Sequence, residues 1–229
     1  MQSSAIDNES RRYSLTGRVC TLEVFSESYL PILREYLSDP DVVRHVSSID
    51  NRLEDILSWF KRQSSSGTDR VFAILRHSTV ESGEPRRAFV GITALRTIDV
   101  RGTAAVSGTI IGAKRYWGEG IGYEAKLLQQ GYAFETLALD WIYASIVDTN
   151  ERSRRLLVRL GYERLPSRPD CIPCSGSNLG QVFYGLSRDK WIRLKETTVC
   201  TRSSLQSQCS SSQASEANQR STGVQTIPG

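Results

Sequence analysis

Arg115-Tyr116-Trp117-Gly118-Glu119-Gly120-Ile121-Gly122 is the stretch on which the reading of this chain turns. It follows the β-branched run Thr109-Ile110-Ile111 and opens a segment rich in Ala and Leu, which reads as a helix from about Gly120 to Leu137. Glycine lets the main chain pass close to a ligand, and the N–H groups at the start of a helix have no partner inside it. Such a turn can cradle a pyrophosphate on amides alone, with no side chain required. The better-known phosphate loops do not fit. A P-loop needs Lys-Ser/Thr after its glycines, and Gly118-x-Gly120-x-Gly122 lacks the last spacing of the dinucleotide fingerprint. Neither ATP nor NAD is implied.

Working outward, Trp141-Ile142-Tyr143-Ala144-Ser145-Ile146-Val147 is aromatic and β-branched, a buried strand by composition and length. It ends in Asp148-Thr149-Asn150, where Asn150 suits a helix N-cap. Ser153, Leu156, Leu157 and Leu160 then recur at helical spacing until Gly161 stops the helix. On the N-terminal side, Leu53, Ile56, Leu57 and Phe60 suit a short amphipathic helix, and Arg70 to Leu75 and Ala88 to Leu95 suit two strands. The stretches Ser64-Ser65-Ser66-Gly67 and Ser82-Gly83-Glu84-Pro85 read as surface loops.

Two of these segments together carry a resemblance. Arg115-x-x-Gly118-x-Gly120 resembles the acyl-CoA loop of the GNAT superfamily of N-acetyltransferases. Asn150-x-x-Ser153, seven intervening residues and Gly161-Tyr162 resemble the signature of its RimJ/RimL-like branch, the ribosomal-protein alanine acetyltransferases. Leu37 to Arg44 looks like the exit of that branch's first helix, and the resemblance runs roughly from Gly17 to Trp191. It implies a mixed α/β fold: a central, mostly antiparallel sheet of about seven strands with one splayed parallel pair, flanked by about four helices. It also implies acetyl-CoA as co-substrate, with no metal, and a primary amine as acceptor.

Site residues follow from the same resemblance. The pantetheine arm would enter the gap between the strand through Ser107, Gly108, Thr109, Ile110 and Ile111 and the strand Trp141 to Val147. Gly108 and Thr109 would then face the thioester. A glycine inside a strand often marks a bulge, which would aim an N–H at the thioester oxygen; packing beneath a helix is the other reading of Gly108. The pyrophosphate would rest on Trp117, Gly118, Glu119, Gly120, Ile121 and Gly122, with Arg115 adding a guanidinium. Trp117 is read as packing and shielding. Arg159 either meets a CoA phosphate or belongs, like Arg154 and Arg155, to a solvated helix face. Asn150 would cap its helix and bond the pantetheine amide.

Proton handling divides the superfamily. Many members use a Tyr seven residues after the Asn as general acid, but that position is Leu157 here, and in the resembled branch the Ser three residues on takes its place. Ser153 shares a helix face with Leu157 and Leu160, so it looks inward if they do; capping its own helix is the competing role. A base is harder to find. Related sequences often carry Glu two residues before the strand Gly, where this chain has Val106, and neither His45 nor His77 stands where a base is expected. A lysine-type amine is neutral for under ~0.1% of the time at pH 7, against roughly 10–20% for an α-amine. The sequence therefore leans towards an α-amine or a small, weakly basic amine over lysine or polyamine.

Composition sets the frame. With 229 residues, 39% of them hydrophobic, the chain can bury one substantial core. One acetyltransferase domain, 17–195, is expected, with 1–16 and the Ser/Gln-rich 196–229 disordered. The net charge of +4 comes without a long basic run, so nucleic acid is not an expected partner. No apolar run approaches the ~20 residues of a membrane span, and the N-terminus resembles neither a secretory signal nor a mitochondrial presequence. A cytoplasmic monomer or homodimer is expected. Five cysteines argue against a disulfide framework, and Cys171-x-x-Cys174 lacks partners at zinc spacing, leaving a loop between two C-terminal strands as its reading.

Overall fold

The computed structural model describes residues 14–46, 58, 69–79, 85–97, 102–170, 172 and 180–197. Eight strands form one sheet in the order β1-β2-β3-β4-β5-β6-β8-β7. They are β1 (Ser14–Thr16), β2 (Cys20–Val24), β3 (Arg70–Thr79), β4 (Pro85–Thr97), β5 (Ala104–Ile111), β6 (Trp141–Val147), β7 (Glu163–Arg164) and β8 (Gln181–Ser187). Neighbours pair antiparallel except β5 and β6. Among the described residues of the sheet-bearing unit, the α-helices are α1 (Leu30–Leu37), α2 (Pro40–Val43), α3 (Ile121–Gly131) and α4 (Glu151–Arg159). This is the mixed, mostly antiparallel sheet flanked by helices that the sequence led us to expect, with β1 lying just outside the expected start at Gly17.

Contacts divide the chain into Met1–Arg188 and Asp189–Gly229. In the second unit 189–197 is helical, with the Lys195 ammonium over the Trp191 ring. Among the described residues no helix is long and apolar enough to cross a membrane. The amphipathic helix expected around Leu53 to Phe60, the loop 64–67, Ser82 to Glu84 and the Cys171/Cys174 pair lie outside the described residues.

Hydrophobic spacing explains which faces are covered. Leu30, Leu33 and Leu37, one stripe of α1, pack on Ala73 and Leu75 of β3 and Phe89 and Ile92 of β4. Each buried leucine contributes at most about 1.5–3 kcal/mol. Phe89 and Ile92 are an odd number of residues apart, yet they share a face. The register between β3 and β4 shifts after Ile74, so Val90 is an extra residue on β4 and the alternation flips there. On the opposite face, Tyr132 at the end of α3 meets Phe72 edge-on at 5.2 Å. The last turn of α3 widens into a π-helix over Tyr132–Thr136, ending the helix expected to reach Leu137. In α4, Leu157 is buried and Ser153 and Leu156 are half-buried, whereas Arg154, Arg155, Val158 and Arg159 are exposed.

Candidate active site

The parallel pair pulls apart partway along its length. Residues Ala104, Ala105 and Val106 of β5 pair with Trp141, Ile142 and Tyr143 of β6, and no pairing continues beyond them. From Ser107 to Ile111 on one side and Ala144 to Val147 on the other, the two strands no longer bond each other. Backbone groups left unpaired between neighbouring strands are costly unless something fills the gap, so the fork is suited to an extended, amide-bearing ligand. Gly108 stands on the fork's edge, exposed, and a Cβ there would meet nothing within 4 Å. Both sequence readings of this glycine therefore change. It lies neither under a helix nor in a bulge, since β4 pairs with β5 in unbroken register from Gly91↔Ile111 to Thr97↔Ala105. The irregular residue is Val90, one strand away.

At the fork's open end stands the glycine turn. Gly118 and Gly120 have φ of +92° and +82°, a conformation that L-residues with side chains enter only with strain. Neither has a neighbour within 4 Å of a built Cβ, so conformation and not crowding demands glycine. Gly120 is the N-cap of α3. Among the described residues the first α3 amide with an acceptor is that of Glu124, bonded to the Gly120 carbonyl at 3.0 Å; the amides of Ile121, Gly122 and Tyr123 before it are available to an anion. Trp117 fastens the turn, its indole N–H donating to the Ile111 carbonyl at 2.8 Å. The carboxylate of Glu119 is held by Arg76 of β3 at 2.7 Å, which limits its repulsion of an anion.

Around this turn the arginines lie on aromatic rings. Arg76 and Arg115 lie over Tyr116 at 4.4 and 4.8 Å, Arg152 over Trp117 at 4.6 Å and Arg159 over Tyr123 at 4.3 Å. Stacking holds each guanidinium flat; Arg76 spends donors on Glu119 and the His77 carbonyl, while among the described residues Arg152 and Arg159 keep their edge donors for another partner. Arg159 thus reaches Tyr123 in the first turn of α3, where sequence left it between a CoA phosphate and a solvated helix face. Arg152 places a second α4 guanidinium at the glycine turn, and burial pushes its pKa down from the ordinary value.

On the other arm of the fork, the Asn150 side-chain oxygen accepts the Ser153 N–H at 3.1 Å. This is the expected N-cap, and it leaves the Asn150 amide hydrogens for another partner. Ser153 itself is half-buried, and among the described residues no hydrogen bond claims its hydroxyl. Thr109 faces α3, its hydroxyl 2.7 Å from that of Thr93. His77, one of two histidines, lies on β3, with one ring nitrogen 2.7 Å from the Thr21 hydroxyl and the other 3.3 Å from the Arg18 carbonyl.

Two side chains of α3 escaped the sequence reading. Glu124 binds the β1–β2 turn, its carboxylate accepting the N–H groups of Arg18, Val19 and Cys20 at 2.7, 2.7 and 2.8 Å. Burial opposes its ionisation, but these N–H groups outweigh burial and hold the carboxyl below its ordinary range. Desolvation, with Glu124 beside it, pushes the Cys20 thiol up to about 12, so it is inert. The second is Lys126, buried on the face of α3 towards β5. Its signal in the sequence is positional: Lys126, Gln129 and Gln130 share the helical arc of Ile121, Ala125 and Ala133, whereas Leu127 falls on the exposed side.

Beside the turn, a cleft of about 780 Å³ opens between Tyr36, Asp39 and Asp41 on one side and Gly112, Lys114 and Arg115 on the other. Lys114 bridges Asp39 and Asp41 at 2.8 Å each, which fixes the α1–α2 connection against the end of β5. Tyr36 packs where a Gly112 side chain would stand and donates to the Phe89 carbonyl at 3.0 Å. Among the described residues no group of three His, Cys, Asp or Glu could hold a metal.

A splayed parallel pair, a glycine turn with available amides at its mouth and a capped helix on the far arm define an acyltransferase fold. Residues 20–163 match the model of the acetyltransferase (GNAT) domain, and the chain belongs to that family. Solved structures agree at the level of fold. A GCN5-related N-acetyltransferase from Brucella melitensis superposes with a TM-score of 0.62 at 20% identity, covering 81% of this chain and 83% of that one. A GNAT-family acetyltransferase from Bacillus anthracis gives 0.61 at 18%, covering 77% and 99%. The spermidine N-acetyltransferase from Vibrio cholerae, in complex with CoA and spermine, gives 0.60 at 14%, covering 76% and 98%.

Proposed function

We propose that this chain is an acetyl-CoA-dependent N-acetyltransferase of the RimJ/RimL-like branch, passing acetyl to a primary amine by direct attack in a ternary complex. The observation that carries this reading is the fork. β5 and β6 part immediately after Val106 and Tyr143, and the glycine turn sits at the end of β5. The Trp117 amide, expected to join the cradle, donates instead to the Lys114 carbonyl at 3.0 Å, and that of Glu119 points to the Tyr116 carbonyl at 3.5 Å. The amides of Gly118 and of Gly120 to Gly122 hold the diphosphate, with Arg115, Arg152 and Arg159 around it. Thr109, Ile110 and Ile111 offer their backbone to the pantetheine arm, and Asn150 bonds its amide. A main-chain N–H at Gly108 or Thr109 receives the thioester oxygen; removal of one such donor typically costs roughly 3–4 kcal/mol. Ser153 donates the proton to the departing sulfur.

The acceptor is an α-amine, such as a protein N-terminus, or a small, weakly basic amine. Val106 stands where related sequences often carry a Glu base, and such amines are partly neutral without one. The likeness to a spermidine acetyltransferase is one of fold and sets the alternative. Turnover of an N-terminal peptide faster than spermidine is expected; a clear polyamine preference overturns the acceptor assignment. A second reading, a CoA-binding module without turnover, draws on the buried, apolar Leu157 at the position of the superfamily's Tyr acid. Calorimetric CoA binding with no acetyl-CoA consumed across a panel of amines would favour it.

A further inference from the structure

Lys126 has only 5% of its surface exposed, and its ammonium donates to the Ser107 hydroxyl at 2.8 Å. Ser107 is the first residue of β5 beyond the last one paired with β6, so the bond ends at the point where the strands divide. The Tyr162 hydroxyl lies 3.4 Å from the same oxygen. All three residues are buried. Among the described residues no carboxylate is bonded to Lys126.

The groups around it are otherwise neutral. β4 contributes Thr93, β5 contributes Ser107 and Thr109, and Gln129 and Gln130 flank Lys126 on its own helix. Tyr162 is the titratable member of the cluster, and burial pushes it up to about 12, so it stays a neutral phenol. The charged side chains of α4, from Glu151 to Arg159, are exposed. Burial likewise pushes Lys126 down to about 7. An ammonium buried without a counter-ion is costly, and a core position of this shape is served as well by Leu or Met. Three donors are available on the ammonium, and one meets Ser107. What the site lacks is an anion, and the proposed reaction generates one at the fork: the sulfur of CoA.

Resting on the acyl-CoA reading above, we infer that Lys126 is a positioning residue that polarises the Ser107 hydroxyl to receive the CoA sulfur and stabilise its negative charge. In this arrangement Ser107 touches the sulfur, Lys126 acts through Ser107, and the proton that completes the thiol still comes from Ser153.

The test is to titrate CoA bound to the full chain by following the ultraviolet absorption of its thiolate, with desulfo-CoA as the blank. A nearby positive charge lowers the pKa of an acidic group by about 1–3 units, so the thiol of bound CoA is expected to ionise that far below free CoA. Lys126→Met should return the titration to the free value and lower kcat about 100-fold, with the KM for acetyl-CoA within about twofold of wild type. Ser107→Ala should do the same while keeping the lysine, which covers the case in which Lys126→Met fails to fold. Wild-type and variant titrations that coincide would overturn the inference. Failure of wild type to bind CoA at all would instead remove the reading beneath it.

Discussion

The glycine turn and the buried face of α3 are adjoining parts of one strand-to-helix connection, and they present polar groups by opposite means. At Trp117–Gly122 the main chain does the work. Among the described residues the amides of Gly118 and of Gly120 to Gly122 have no acceptor, and the geometry depends on positive φ at Gly118 and Gly120. At Lys126 and Ser107 the polar groups are side chains sealed from water, where one ammonium has far greater electrostatic reach than it would at the surface. Under the proposed function the turn captures a charged ligand, and the buried cluster responds to charge appearing beside it. Binding and rate should therefore separate between the two regions.

Gly120→Val should break the first region most. Forcing a β-branched residue into φ +82° costs roughly 1–3 kcal/mol, so CoA affinity measured by calorimetry should fall about 10- to 100-fold. Glu124→Ala should loosen the turn from behind by freeing α3 from the β1–β2 connection. Because two of its three N–H partners are exposed and can turn to water, the expected loss is about 2 kcal/mol, read from denaturant unfolding.

Lys126→Met should act in the opposite direction on stability, adding about 1–2 kcal/mol near pH 7 while kcat falls. The sign with pH follows from a depressed lysine. Between about 7 in the fold and ~10.4 in the unfolded chain, the unfolded state binds more protons. The wild-type penalty is therefore complete below about pH 7 and fades as pH rises through that window. The stability gap between variant and wild type should narrow in step, as thermal melts would record. The smallest effect belongs to Gly122→Ala. Its added methyl meets Ile111 and Leu156 at ordinary contact distances of 3.6 and 4.0 Å, inside a helix. A gain of about 0.5–1 kcal/mol in stability is expected, read from denaturant unfolding.

Legibility followed the same division. The strand Trp141–Val147 was readable to the residue because it is a continuous apolar run between turn residues, and Asn150 with Gly161 marked the ends of α4. The glycine turn was readable because positive φ admits few residues. Val90 was not, since an extra residue in a strand leaves no mark of its own; Gly108 attracted that role instead. Lys126 was passed over because hydropathy favours Leu127 for the interior, while the phase of the helix buries its neighbour.

Sequence by itself determined the strand Trp141–Val147, the limits of α4 and the glycine turn, because local periodicity and the conformational demands of glycine act within a few residues. Tertiary structure alone decided where β5 and β6 part, that Glu124 reaches back to the β1–β2 turn, and that Lys126 meets Ser107 at the fork. Those pairings join residues distant in the chain, and no local rule links their positions until the sheet and α3 are packed together.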